Sequence, residues 1–370
     1  MRVGIPTEIK NNEYRVAITP AGVAELTRRG HGVVIQAGAG DGSAISDSDF
    51  KAAGAEIVTG AEQVWAEADL LLKVKEPIEA EYALMRKGQT LFTYLHLAAS
   101  KPCTDALLAS GTTSIAYETV QTADGFLPLL APMSEVAGRL SAQVGAYQLM
   151  KTQGGRGVLM GGVPGVAPAE VVVIGGGTAG YNGARVASGM GANVTIFDVN
   201  INRLRELDAE FGGRIQTRYS STYDLETAVK EADLVIGAVL VPGAKAPKLV
   251  SNALVAHMKP GSVLVDIAID QGGCFEDSRP TTHDDPTFTV HDSVFYCVAN
   301  MPGAVPRTST YALTNATMPY VLKLADKGWQ AACVADPALA RGLSTHEGAL
   351  LSEQVADDLD LPFTDPASLL

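Results

Sequence analysis

Three glycines and one carboxylate make the first constellation with a chemical use. Val171-Val172-Val173-Ile174 is a run fit for a strand buried on both faces. It feeds into Gly175-Gly176-Gly177-Thr178-Ala179-Gly180, and a helix-like stretch follows as far as Gly191. A second apolar run over 194–197 then ends in Asp198. Gly175 permits a tight turn, Gly177 lets backbone amides approach a pyrophosphate, and Gly180 lets the helix pack closely on the strand. The helix start, opened by Thr178, offers unpaired N–H groups and a positive dipole end to phosphates. Asp198 stands eighteen residues beyond Gly180, where a carboxylate accepts adenosine ribose hydroxyls and repels a 2′-phosphate. That favours NAD over NADP. The order strand, glycine turn, helix, strand, acid separates this stretch from an ordinary glycine-rich turn.

A second constellation lies at predicted strand ends in the first third of the chain. Lys75 follows Leu70-Leu71-Leu72, His96 follows Leu91-Phe92-Thr93-Tyr94-Leu95, and Glu118 follows Ser114-Ile115-Ala116-Tyr117. Arg15 sits in the loop after the first strand. Open α/β sheets bind ligands at the carboxyl ends of their strands, so these side chains are expected to face one cleft. Arg15 and Lys75 would clamp a small carboxylate, the guanidinium gripping it through two hydrogen bonds. His96 brings an imidazole, which ordinarily changes charge between about pH 5 and 8. Taken singly, each is as readily a solvated cation or a hydrogen-bonded structural histidine; the shared position is what joins them.

The elements that must position these groups alternate regularly. Strands are expected at 2–5, 32–36, 70–74, 91–95 and 113–117, with helices between, including one at 20–29 capped by Thr19 and started by Pro20. A long helix over 131–150, with Val136, Leu140, Val144 and Tyr147 on one stripe, would join this region to the glycine turn. The glycine-rich stretch 154–165 lacks Gly-Lys-Ser/Thr and reads as a loop rather than a phosphate site. Further strands are expected at 233–238, 262–268 and 294–298. The segment 239–243 follows one of these strands, and Asp270 follows another. From about residue 305 the pattern is helical to the end. The fold class is therefore α/β, with two doubly wound Rossmann-like domains joined by long helices. A discontinuous substrate and catalytic domain (1–130 and 305–370) would flank a central dinucleotide-binding domain (131–304).

Composition narrows the class. A chain of 370 residues, 46% hydrophobic and 19% charged, is long enough for two packed domains. A formal charge of −13 argues against a nucleic-acid surface and against anionic membranes. No apolar run reaches the roughly 18–20 residues of a membrane span, and the first ten residues lack the apolar core of a signal peptide. Cys103, Cys274, Cys297 and Cys333 are scattered with no Cys-x-x-Cys, as expected of reduced, mostly buried thiols in a cytoplasmic protein.

The blocks Gly4-Ile5-Pro6-Thr7-Glu8 and Asn12-Glu13-Tyr14-Arg15-Val16-Ala17-Ile18-Thr19-Pro20, with the 171–191 block, resemble the two signatures of a known family. It comprises alanine dehydrogenases and nicotinamide nucleotide transhydrogenase alpha subunits. The resemblance spans nearly the whole chain and is closest to the mycobacterial-type L-alanine dehydrogenases. It implies NAD-dependent reversible conversion of L-alanine to pyruvate and ammonium, with glyoxylate and glycine as a slower pair, in a homo-oligomer that is commonly a hexamer. It implies that Arg15 and Lys75 bind substrate, that His96 is the acid/base, and that Asp270 is the second catalytic residue. Ser134, Gly175, Gly177, Thr178, Gly180, Asp198, Arg203, Ser220, Val239, Leu240, Ile267, Asp270, Arg279, Val298, Asn300 and Met301 would contact NAD. Where some relatives carry a Glu and a His associated with a divalent cation, this chain has Lys323 and Lys327, so no metal is expected. The alternative is a transhydrogenase-type NAD(H)-binding subunit working beside a membrane partner.

Overall fold

The computed structural model describes residues 1–239 and 246–370. The chain divides into two compact units, Met1–Met133 with Val305–Leu370, and Ser134–Ala304.

In the first unit, short apolar runs form β1 (Arg2–Ile5), β2 (Gly32–Gln36), β3 (Glu56–Val58), β4 (Leu70–Leu72), β5 (Thr90–Thr93) and β6 (Thr113–Ala116). They lie parallel in the order β3-β2-β1-β4-β5-β6. Strand β4 is Leu-Leu-Leu and buried throughout, as a parallel strand covered on both faces should be. Gly4 in β1 is required by packing: a Cβ there would come within 2.6 Å of the Ala68 Cβ. The order reverses between β1 and β4. Loops leaving those two carboxyl ends therefore diverge and open a crevice, the usual ligand position in such sheets.

The second unit repeats the plan with β7 (Glu170–Ile174), β8 (Asn193–Asp198), β9 (Gln216–Tyr219), β10 (Leu234–Gly237), β11 (Val263–Asp266), β12 (Thr287–Val290) and β13 (Ser293–Tyr296). The order is β9-β8-β7-β10-β11-β13-β12, with only β12 antiparallel, and the reversal falls between β7 and β10. Both sheets are thus doubly wound, and in both the reversal sits where the sequence carries its chemistry.

In the helix Ala131–Gln148 the stripe its periodicity suggests is buried at Val136 and Leu140 and half-buried at Val144, and departs at its last member. Tyr147 is half exposed. Glycines on the buried face allow a close approach: a Cβ on Gly138 would lie 2.1 Å from the Ala179 carbonyl oxygen, and one on Gly145 2.6 Å from a methyl of Leu234. Close approach to the helix Thr178–Gly189 and to β10 selects glycine there.

The last 66 residues, expected from the sequence to be helical to the end, are not helical throughout. After the helix Pro306–Lys327, β14 (Leu343–His346) and β15 (Ala349–Leu350) return to the first sheet, β14 pairing antiparallel with β6. Their two-residue turn, Glu347-Gly348, has φ of 47° and 86°, the left-handed pair that matches strand twist in a tight hairpin. Three edge or short strands, β3, β9 and β12, also lie outside the expected set. The strand expected over 262–268 stops at Asp266, whose side chain accepts the Ala268 N–H and turns the chain into a 3-10 helix, Ile267–Gln271.

Candidate active site

The glycine turn in the second unit is built by close backbone approaches. Gly175 has φ of +100°, and a Cβ there would meet the Ala238 carbonyl oxygen at 2.7 Å and Val239 at 3.2 Å. A Cβ on Gly180 would lie 1.8 Å from the Gly175 carbonyl oxygen, so helix and strand meet only through glycine. At Gly177 a Cβ would meet nothing within 4 Å: that side of the turn is open. Gly177 is also the N-cap of the helix Thr178–Gly189 and supplies no side-chain acceptor, which leaves the first-turn N–H groups to a phosphate.

Asp198 closes β8 beside this turn. One of its oxygens accepts the Gly176 N–H at 2.7 Å, and the other accepts the Asn200 N–H at 2.8 Å. Each carboxylate oxygen has a second lone pair, so both can still accept from ribose hydroxyls. Arg203 donates to the Gly176 carbonyl at 2.7 Å, and the Ser220 N–H donates to the Asp198 carbonyl at 3.0 Å. Asp198, Arg203 and Ser220 are therefore one connected group around the turn, and the donors and acceptors fit an NAD-type dinucleotide.

The remaining residues expected at this site are more dispersed. Ser134 is half-buried in the first turn of its helix. Ile267 and the exposed Asp270 share the 3-10 helix after β11. The exposed Arg279 lays its guanidinium over the Phe288 ring at 4.4 Å. Val298 and Met301 are buried, while Asn300 between them takes φ of 59°. Leu240, with the 241–243 stretch expected beside it, lies outside the described residues.

Sequence reasoning missed what holds the Asp270 segment. The buried carboxylate of Asp266 accepts from Ala268 N at 3.0 Å, Cys274 N at 2.9 Å and the Ser278 hydroxyl. Burial pushes its pKa up, although these donors favour the charged form. On the other side, the Lys248 ammonium donates to the carbonyls of Gly272, Gly273 and Phe275 at 2.6–3.0 Å. The one available signal was Gly272-Gly273 after an acid, a spacing that fits a turn wrapped around a side chain: a Cβ on Gly273 would lie 2.6 Å from the Asp266 carboxylate.

In the first unit, the loops from β1 and β4 carry the two cations. Arg15 is only 2% exposed and is gripped side-on by the buried Glu13, Nε to Oε1 at 2.7 Å and Nη2 to Oε2 at 2.5 Å, while Nη1 lies 3.0 Å from the Met133 sulfur. Burial alone would lower the guanidinium pKa; Glu13 outweighs it and the pKa rises. Lys75 is buried, and its carbonyl accepts the Thr93 hydroxyl of β5 at 3.1 Å. Between the two loops, Lys73 is buried with its ammonium 3.1 Å from Glu8 and 2.8 Å from Glu81, and Glu8 also accepts the Val74 N–H at 2.6 Å. This triad ties the carboxyl end of β4 to that of β1. The segment 7–15 lines a cavity of about 350 Å³ with Gly38, Ala39 and Gly42.

His96 leaves the end of β5 in the left-handed region, φ 48° and ψ 43°. Such a backbone costs a non-glycine residue about 1–3 kcal/mol and is worth reading as a functional constraint. Its ring stacks on Tyr94, centroids 5.9 Å apart and planes within 8°. Tyr94 is itself fixed by its hydroxyl, which donates to the Leu129 carbonyl at 2.6 Å, and burial raises its pKa. Arg15, Lys75 and His96 thus arise from the carboxyl ends of β1, β4 and β5, adjacent in the sheet. Lys323, on the helix Pro306–Lys327, pairs with Asp336 at 2.6 Å.

Comparison with known proteins agrees with this geometry. The alanine dehydrogenase/PNT N-terminal domain model matches residues 4–137, and the alanine dehydrogenase/PNT C-terminal domain model matches residues 141–353. An alanine dehydrogenase of Mycolicibacterium smegmatis is 85% identical over 370 residues, covering the whole of both chains. A solved L-alanine dehydrogenase matches with a TM-score of 0.95 and 52% identity over 97% of this chain and 99% of its own. A transhydrogenase from Sinorhizobium meliloti matches more distantly, with a TM-score of 0.79 and 25% identity over 95% of this chain and 99% of its own. With both domain models matched and the glycine turn, the acid and the strand-end cations all in place, the chain belongs to the alanine dehydrogenase/PNT family.

Proposed function

We propose that this chain is an NAD-dependent L-alanine dehydrogenase, converting L-alanine, NAD and water to pyruvate, ammonium, NADH and a proton, and the reverse. The observation that carries the reading is the 85% identity, end to end, with an alanine dehydrogenase. When bound, the nicotinamide ring supplies the hydride acceptor. The chain's own residues do the rest. Arg15 and Lys75 hold the substrate carboxylate and carbonyl, and fixing a small acid in one orientation lowers the barrier by several kcal/mol. Glu13 keeps the Arg15 guanidinium in a set plane. His96 takes a proton from the water that attacks the imine carbon, then returns it to the departing amine. Asp270 stabilises the cationic imine. The cofactor is held by Gly175, Gly177, Thr178, Gly180, Asp198, Arg203 and Ser220, with Ser134, Val239, Leu240, Ile267, Asp270, Arg279, Val298, Asn300 and Met301 completing its contacts.

The finer features follow the same reading: a first domain that binds substrate, a second that binds NAD, a cytoplasmic homohexamer, and slow amination of glyoxylate to glycine. Among the described residues no helix is long and apolar enough to cross a membrane. The transhydrogenase-type reading draws on the shared alanine dehydrogenase/PNT domain models and on a 25% match. The test is substitution: His96→Ala and Asp270→Asn should each lower kcat by about two orders of magnitude or more, and His96→Ala should leave NADH binding as before. Normal turnover in either variant removes that residue from the mechanism.

A further inference from the structure

Glu118 follows β6, one strand over from the end of β5, and its side chain is 15% exposed. The carboxylate accepts the Leu95 N–H at 3.1 and 3.2 Å and the His96 N–H at 2.6 Å. The same carboxylate lies 3.9 Å from the imidazole Nδ1. Two successive peptide N–H groups therefore converge on one anion directly before a residue in the left-handed region. Charge-assisted bonds to backbone N–H groups are among the stronger hydrogen bonds, which suits them to hold a backbone that would otherwise relax. From that fixed peptide the chain turns into the short 3-10 helix Leu97–Ala99, and the imidazole is left lying on Tyr94.

We propose that Glu118 is the positioning residue for His96: its carboxylate fixes the backbone on which the imidazole stands. The inference deepens the proposed reaction and rests on His96 being its acid/base. Remove the carboxylate and the peptides of 95 and 96 lose their acceptor, the left-handed turn at 96 loses its support, and the ring leaves its place over Tyr94. Small displacements of a reacting group of this kind cost about a hundredfold in rate.

A double-mutant cycle on the full-length enzyme tests it, with wild type, Glu118→Ala, His96→Ala and the double variant compared for kcat, KM for L-alanine, NADH binding and Tm. Glu118→Ala should lower kcat about a hundredfold with KM and NADH binding little changed. In the His96→Ala background the same substitution should have no further effect on the residual rate, since its target is gone. Glu118→Gln, whose amide oxygen can accept both N–H groups, should recover most of the rate. Near-normal kcat in Glu118→Ala overturns the inference, and so does an equal loss in both backgrounds, which would mark a loop anchor. Should Glu118→Ala not fold, Glu118→Asp withdraws the carboxylate by one methylene and carries the same cycle, with a smaller loss expected only where His96 is present. Normal turnover in His96→Ala would instead overturn the reading of His96 itself, and this inference with it.

Discussion

A single methyl group tests the glycine turn. In Gly180→Ala the new Cβ would stand 1.8 Å from the Gly175 carbonyl oxygen, so helix and strand must separate. Overpacking of that kind costs about 1–3 kcal/mol, and here it would also displace the N–H groups offered to the pyrophosphate. The expected result is a lowered Tm together with lost NADH binding, measured by the quenching or enhancement of NADH fluorescence. The four cysteines give a second residue-level test. All are buried, and burial raises the pKa of Cys103, Cys297 and Cys333 to about 12 and pushes that of Cys274 well above its ordinary value. The native protein at pH 8 should therefore react slowly with a thiol reagent, and the unfolded protein fast. The sign for stability follows. Below the ordinary thiol value of about 8.5, both states are protonated and nothing changes. Above it the unfolded thiols ionise while the buried ones do not, so stability falls as pH rises toward 12, by up to roughly 1.4 kcal/mol per unit for each thiol. A flat unfolding free energy over that range would contradict the burial.

At the scale of elements, the sequence was most legible where strands are buried on both faces. Val171–Ile174 and Leu70–Leu72 are short continuous apolar runs, the pattern of strands covered on both faces. Strands β9 and β12 were invisible for the opposite reason: edge strands are partly wet, and Gln216–Tyr219 carries no apolar stripe at all. The hairpin of β14 and β15 hid inside a helix-like background because its turn, Glu347-Gly348, is short and its second strand only two residues long. Gly348→Ala should cost about 1–2 kcal/mol, since φ of 86° is disfavoured by any Cβ. Chemical denaturation reads that loss directly, and an unchanged midpoint would argue against the tight turn. The site was legible in the same uneven way. Residues at strand ends (Lys75, His96) and in the glycine turn follow from chain position. Glu13 meets Arg15 from two residues away in the same loop, and partners such as Asp266 for the 268–278 segment and Glu8 for Lys73 depend on side chains meeting across a turn or between loops. No spacing rule encodes that.

At the scale of the whole molecule, the chain uses one sheet plan twice. In each unit the strand order reverses once, between β1 and β4 or between β7 and β10, and in each the groups with chemical use collect at that reversal. One reversal carries two buried cations and leads to an imidazole on the neighbouring strand; the other carries a glycine turn and an acid suited to a ribose. A dehydrogenase of a small amino acid needs both sets, one for the acid and one for the dinucleotide. Here they serve L-alanine and NAD. The most direct measurement is NADH formation from L-alanine at alkaline pH, followed by absorbance, with D-alanine and with NADP in parallel. Robust turnover is expected with L-alanine and NAD, and little with either replacement. Tight NADH binding without any oxidation of L-alanine would contradict it and favour the transhydrogenase-type subunit.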